Sequence, residues 1–129
     1  MTDLADFLRA RIAERRAIAE AASPWPWKTN PDDPEEVLAS DGILVADVFA
    51  LSSNQTLNTA TFIATNDPAG VLADLDTKLA IVDLLAPIVA DESYQGPDHY
   101  GGVDACEKAL SLLARPFAGH ADYKEDWAA

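Results

Sequence analysis

The chain predicts an α+β fold built on a small antiparallel sheet, and three observations carry that reading. Asp41-Gly42 separates two β-prone runs, 37–40 and 43–51, the arrangement of a hairpin with a tight turn. Behind Asp67-Pro68, apolar residues recur at helical spacing from Val71 to Leu85. The length, 129 residues with 49% hydrophobic and 24% charged side chains, suits a single domain spanning 1–129 with an ordinary core.

The elements follow in chain order. Residues 3–22 predict an amphipathic helix, with Leu4, Phe7, Leu8, Ile12 and Ile18 on its apolar stripe and Glu20 within reach of Arg16. Thr2 or Asp3 is placed to cap its free first-turn amides, and Ser23-Pro24 ends it. Prolines at 24 and 26 exclude helix and leave Trp25 to Lys28 as an extended arm, expected at a sheet edge with both indoles on one side. The run Asn30-Pro31-Asp32-Asp33-Pro34-Glu35-Glu36 reads as a polar surface loop. In 43–51 both faces are apolar, which predicts a central strand covered on each side by a helix or a partner.

A second polar loop is expected over 54–58, followed by a short helix over 57–65. Asp67 is a good cap and Pro68 a good first residue for the helix at 68–86, whose stripe is Val71, Leu72, Leu75, Leu79, Val82 and Leu85. Pro87 should kink or end it. Residues 91–102 are Gly-rich and loop-like. A last helix, 103–114, carries Val103, Cys106, Leu110 and Leu113, and Phe117, Tyr123 and Trp127 in the tail are expected to dock on the core. The expected assembly is a sheet of 25–28, 37–40 and 43–51, covered by helix 68–86 and flanked by 3–22 and 103–114.

Charge is the unusual bulk property. Acids number 22 and bases 9, a formal net of −13. Residues 1–22 hold four of each sign, so the whole excess lies in 23–129. Such a surface repels nucleic-acid backbones and anionic lipid heads, because affinity for phosphates comes from cations that displace counterions. It suits a basic protein partner and also keeps a protein soluble. Direct nucleic-acid or membrane binding is not expected. Homodimerisation is a secondary expectation from the two-faced run 43–51. One cysteine, Cys106, excludes an internal disulfide and fits a reducing compartment. No basic stretch leads into an apolar one at the N-terminus, and no apolar run reaches the ~18 residues of a membrane span, so the cytoplasm is the expected location.

No glycine-rich phosphate loop, nucleophile elbow, H-E-x-x-H pair or C-x-x-C is present. No catalytic residue, cofactor or metal is assigned, and the chain is not expected to be an enzyme. Two constellations still deserve weighing. Asp98, His99, Cys106 and His120, with Asp122, have ligand chemistry but no known ligand spacing; the plain alternative is surface histidines and a helix-face thiol. Asp47 interrupts an apolar strand and shares a pleat face with Val45 and Phe49. Buried there it could serve as a general acid; at a sheet edge it would reach water and discourage pairing.

Among interaction candidates, Trp25 and Trp27 could stack on a partner or pack at the edge. The carboxylates Asp32, Asp33, Glu35 and Glu36, with Asp76 and Asp83 seven residues apart on the long helix, could form a strip imitating a nucleic-acid backbone, or simply a solvated acidic face.

Four stretches in order resemble a family of uncharacterised small proteins from actinobacteria and their phages. They run from Asp3 to Ile12, from Ser23 to Trp27, from Ile63 to Leu72, and from Leu112 through Arg115-Pro116-Phe117 and His120 to Trp127. Phe62-Ile63-Ala64 leading into Asp67-Pro68 also resembles the Ead-like phage proteins. The resemblance implies a phage or prophage accessory protein acting in the host cytoplasm, with no activity or cofactor to carry over. Relatives hold several cysteines before the last helix, where this chain keeps Cys106 alone. The leading expectation is a binder of a host or phage protein. The alternatives are a nucleic-acid mimic, or a small enzyme or ligand binder using Asp47 or the His99, Cys106 and His120 set.

Overall fold

A computed structural model describes residues 3–90 and 102–128. Four helices and a three-strand antiparallel sheet make an α+β fold: α1 (Leu4–Ala21), β1 (Lys28–Thr29), β2 (Glu36–Leu38), β3 (Leu44–Asp47), α2 (Ser53–Thr65), α3 (Pro68–Val89) and α4 (Gly102–Ala114), then two 3-10 turns, Arg115–Phe117 and Glu125–Ala128. The chain divides into two compact units, Met1–Arg15 with Leu75–Ala129, and Arg16–Asp74.

In the first unit, Asp3 caps α1 by accepting the Asp6 amide at 2.8 Å, one of the first-turn donors that a helix leaves free. Phe7, Leu8 and Ile12 are buried as their spacing predicts. Leu75 and Val82 give α3 its buried face, and Leu110 and Ala114 give α4 its own. Between α1 and α3, Arg9 binds Asp83, with its Nη2 at 3.0 Å. Helix α3 passes through Pro87 to Val89, beyond the end expected at 86. A proline this close to a C-terminus removes a single ladder bond, and the Ala90 amide still reaches the Ala86 carbonyl at 2.9 Å. The tail docks as expected. The Phe7 ring, 1% exposed, meets Phe117, Tyr123 and Trp127 at centroid separations of 6.3, 6.0 and 5.0 Å.

In the second unit, β2 is central and the strand order is β1-β2-β3. Lys28 pairs with Leu38, and Val37 with Ala46, all antiparallel. The hairpin stands, but its strands are shorter than the expected 37–40 and 43–51, and its loop differs. Ala39 donates to the Ile43 carbonyl and Gly42 to the Ala39 carbonyl, each at 3.0 Å. Only Gly42 takes a positive φ, +80°. This is a three-residue loop with glycine in the left-handed position, not a two-residue Asp-Gly turn. The arm at Trp25 joins the sheet only from Lys28, because Pro24 and Pro26 have no amide to give to a ladder. The Trp25–Pro26 peptide is cis.

Two further expectations are corrected here. Residues 54–58 are helix, not loop: Ser52 caps α2 by accepting the Gln55 amide at 3.2 Å, so the helix starts four residues earlier. The helix lying on the sheet is α2, a role the sequence assigned to 68–86. Val37, Val48 and Ala60 form the buried centre, with Trp27, Val45, Ala46, Ile63 and Ala64 packed around it. Ile18, expected on the apolar stripe of α1, is exposed; in this half of the helix Ala19 is the buried residue. Asp67 caps α3 as its sequence position suggests. One carboxylate oxygen accepts the Gly70 amide and the other the Trp27 amide, both at 3.1 Å.

Replacing Phe7 by alanine is expected to lower stability by about 3–5 kcal/mol. Phe62, 67% exposed on α2, should tolerate the same change within about 0.5 kcal/mol. Urea unfolding followed by tryptophan fluorescence checks the pair; equal losses would contradict the placement of the two rings.

Candidate functional site

Two places collect side chains of chemical interest. The first surrounds Phe7. Arg11 lies one helical turn beyond it on the buried stripe and is itself only 8% exposed. Its Nη2 donates to Glu14 Oε1 at 2.8 Å. Its Nη1 stands 2.8 Å from His120 Nδ1 and 2.7 Å from Nε2. The Asp122 amide donates to Nδ1 at 3.0 Å, so Nδ1 is the accepting nitrogen and the productive bond from Arg11 runs there. Asp122 Oδ2 adds a longer contact to the guanidinium at 3.8 Å. The guanidinium also lies 5.1 Å from the Phe7 ring centroid, and Arg15 sits 4.6 Å over Phe117, both within cation–π range.

This arrangement fastens the tail to α1: the His120 acceptor is occupied by the Arg11 guanidinium and the Asp122 amide. Cys106 lies half-buried on α4, and Asp98 and His99 lie outside the described residues. Among the described residues, no group of three His, Cys, Asp or Glu side chains could hold a metal ion. Arg11's burial has a signal in its spacing, because positions 7, 8, 11 and 12 fall on one helical face.

The second place is the outer end of β3. Asp47 is exposed at the last residue of an edge strand, so its carboxylate reaches water and is not held in the apolar surroundings that would favour its protonated form. The expectation of a central strand over 43–51 is overturned. Val48 turns inward, buried, and its amide donates to the Glu35 carbonyl at 3.0 Å. Asp47 and the residues from Phe49 to Leu51 are exposed. Phe49 is 87% exposed and Leu51 fully so. Together with Glu35 and Leu57 they line an open depression of about 540 Å³. A neighbouring one of about 390 Å³ shares Ser52 and is bordered by Phe62. Among the described residues, no lysine or arginine lines either.

The other candidates are scattered. Trp27 packs on the Val37 cluster and its indole N–H donates to the Ser23 carbonyl at 3.0 Å, while Trp25 is exposed. The indoles thus have different surroundings. Asp32 and Asp33 are exposed, and Glu36 accepts from Asn30 Nδ2 at 3.0 Å. Asp76 and Asp83 belong to the other unit, and Asp83 is held by Arg9, which removes it from any row of free carboxylates. In the first unit a depression of about 610 Å³ borders Arg9, Glu107, Lys124, Asp126 and Trp127; its charges are mixed and it reaches Ala90, where the described residues stop.

If His120 holds the tail through Arg11, His120→Ala is expected to cost about 1–3 kcal/mol, because a buried donor loses its acceptor. Trypsin should then cut faster after Lys124. Unchanged digestion would show that the aromatic contacts alone secure the tail.

No helix among the described residues is long and apolar enough to cross a membrane. No curated protein and no solved structure matches the chain. A family model does, across residues 1–129: the chain belongs to DUF6221, a family of unknown function.

Proposed function

We propose that this family member is a non-enzymatic accessory protein that binds a basic protein partner through its acidic surface, in a phage or prophage setting and in the host cytoplasm. The observation that carries the reading is the charge and its placement. Residues 16–74 hold nine acids against Arg16 and Lys28. Arg16 is already engaged by Glu20 at 3.0 Å, while Asp32, Asp33 and Asp47 stand exposed. A surface of one sign steers oppositely charged partners and rejects like-charged ones. The phage setting rests on the resemblance of the Pro-Trp arm, the Asp67-Pro68 helix entry and the aromatic tail to actinophage and Ead-like proteins. Against the enzyme alternative stand the exposure of Asp47 and the occupied acceptor of His120.

The test is capture from an actinobacterial lysate on the immobilised protein at about 50 mM salt, with elution at about 300 mM, where screening weakens exposed charge pairs. Basic proteins are expected to be retained and then released. Retention of no specific protein at either salt, or a retained set that is acidic and indifferent to salt, would overturn the reading.

A further inference from the structure

We propose that the depression at the outer edge of β3 docks an extended, basic segment of the partner, which joins the sheet as a fourth strand beside Asp47. This inference rests on the binding role proposed above and gives it a place and a geometry. Three observations on the second unit converge. First, β3 ends the sheet among the described residues. Because the Val48 amide is committed to Glu35 on the β2 side, ladder alternation turns the backbone groups of Asp47 outward, ready to pair. Second, the adjoining surface is apolar where water should be: Phe49 and Leu51 stand bare beside Leu57, and isolated edge strands of this kind are usually blunted or covered. Third, among the described residues the only charged side chains lining that depression are Glu35 and Asp47. An incoming segment would set apolar side chains against Phe49 and Leu51 and basic ones against the two carboxylates.

Charge also selects among occupants. A second copy of this chain, packed about a two-fold axis, would present the same patch twice and set Glu35 and Asp47 against their own images. A partner segment carrying lysine or arginine has no such conflict.

Two labelled ten-residue peptides test the proposal, one alternating Val with Lys and the other Val with Glu, titrated with the intact protein and read by fluorescence anisotropy. Saturable binding of the Lys peptide alone is expected. The double variant Phe49→Ser, Leu51→Ser should weaken it by about tenfold or more, as should Asp47→Lys. The pair Asp32→Asn, Asp33→Asn should leave it unchanged. All the replaced side chains are exposed, so circular dichroism should report the same fold throughout. No binding of the Lys peptide, or equal binding by every variant, overturns the inference. So does a dimer in sedimentation that Phe49→Ser, Leu51→Ser abolishes, which would make a second copy the occupant. If the double variant still captures basic proteins from lysate, acidic binding survives and this location for it fails.

Discussion

Val37 is the residue on which the second unit depends. It is the middle of a three-residue strand, fully buried, paired on one side with Thr29 and on the other with Ala46. A sheet whose strands are two, three and four residues long has little area to bury. Here α2 supplies its cover through Ala60, with Ile63 and Ala64 beside it. One small helix covers one small face, and Phe49 and Leu51, beyond the end of β3, stand exposed among the described residues. The bare Phe49 and Leu51 follow from that limit.

The first unit solves a different problem. Phe7 is surrounded by the aromatic side chains of Phe117, Tyr123 and Trp127, in edge-to-face or tilted geometry, and Tyr123 and Trp127 also meet each other at 5.5 Å. Such pairs favour offset over stacked arrangements because of the ring quadrupole. The cost of bringing a guanidinium into this cluster is met by Glu14 and the His120 ring, though Arg11 Nε remains buried without a partner. Polar groups that might have been read as chemistry are therefore occupied in holding the chain's end.

Local signals in the sequence proved good guides where they had a mechanism. Asp3 and Asp67 cap as their positions suggest, Gly42 marks the turn, and the 3.6-residue stripe of α3 buries Leu75 and Val82. What misled was the reading of tertiary neighbours from composition. The run 43–51 is apolar on both faces, and that pattern alone does not distinguish a strand between two covers from one that keeps a face for another molecule. Ser52-Ser53 was the stronger start signal for α2, outweighed by the polar look of Asn54 to Asn58. Arg11 shows the same limit in reverse: its place on the buried face is visible, but its partners His120 and Asp122 lie more than a hundred residues away.

Residue-resolved amide hydrogen exchange on the free protein tests most directly whether the outer edge of β3 stands open. The Val48 amide, bonded to Glu35, should be protected, while those of Asp47 and Phe49 should exchange as freely as amides in a loop. Protection at Asp47 and Phe49 matching that of Val48 would mean that the edge is already paired within the protein, and no place would remain for an incoming strand.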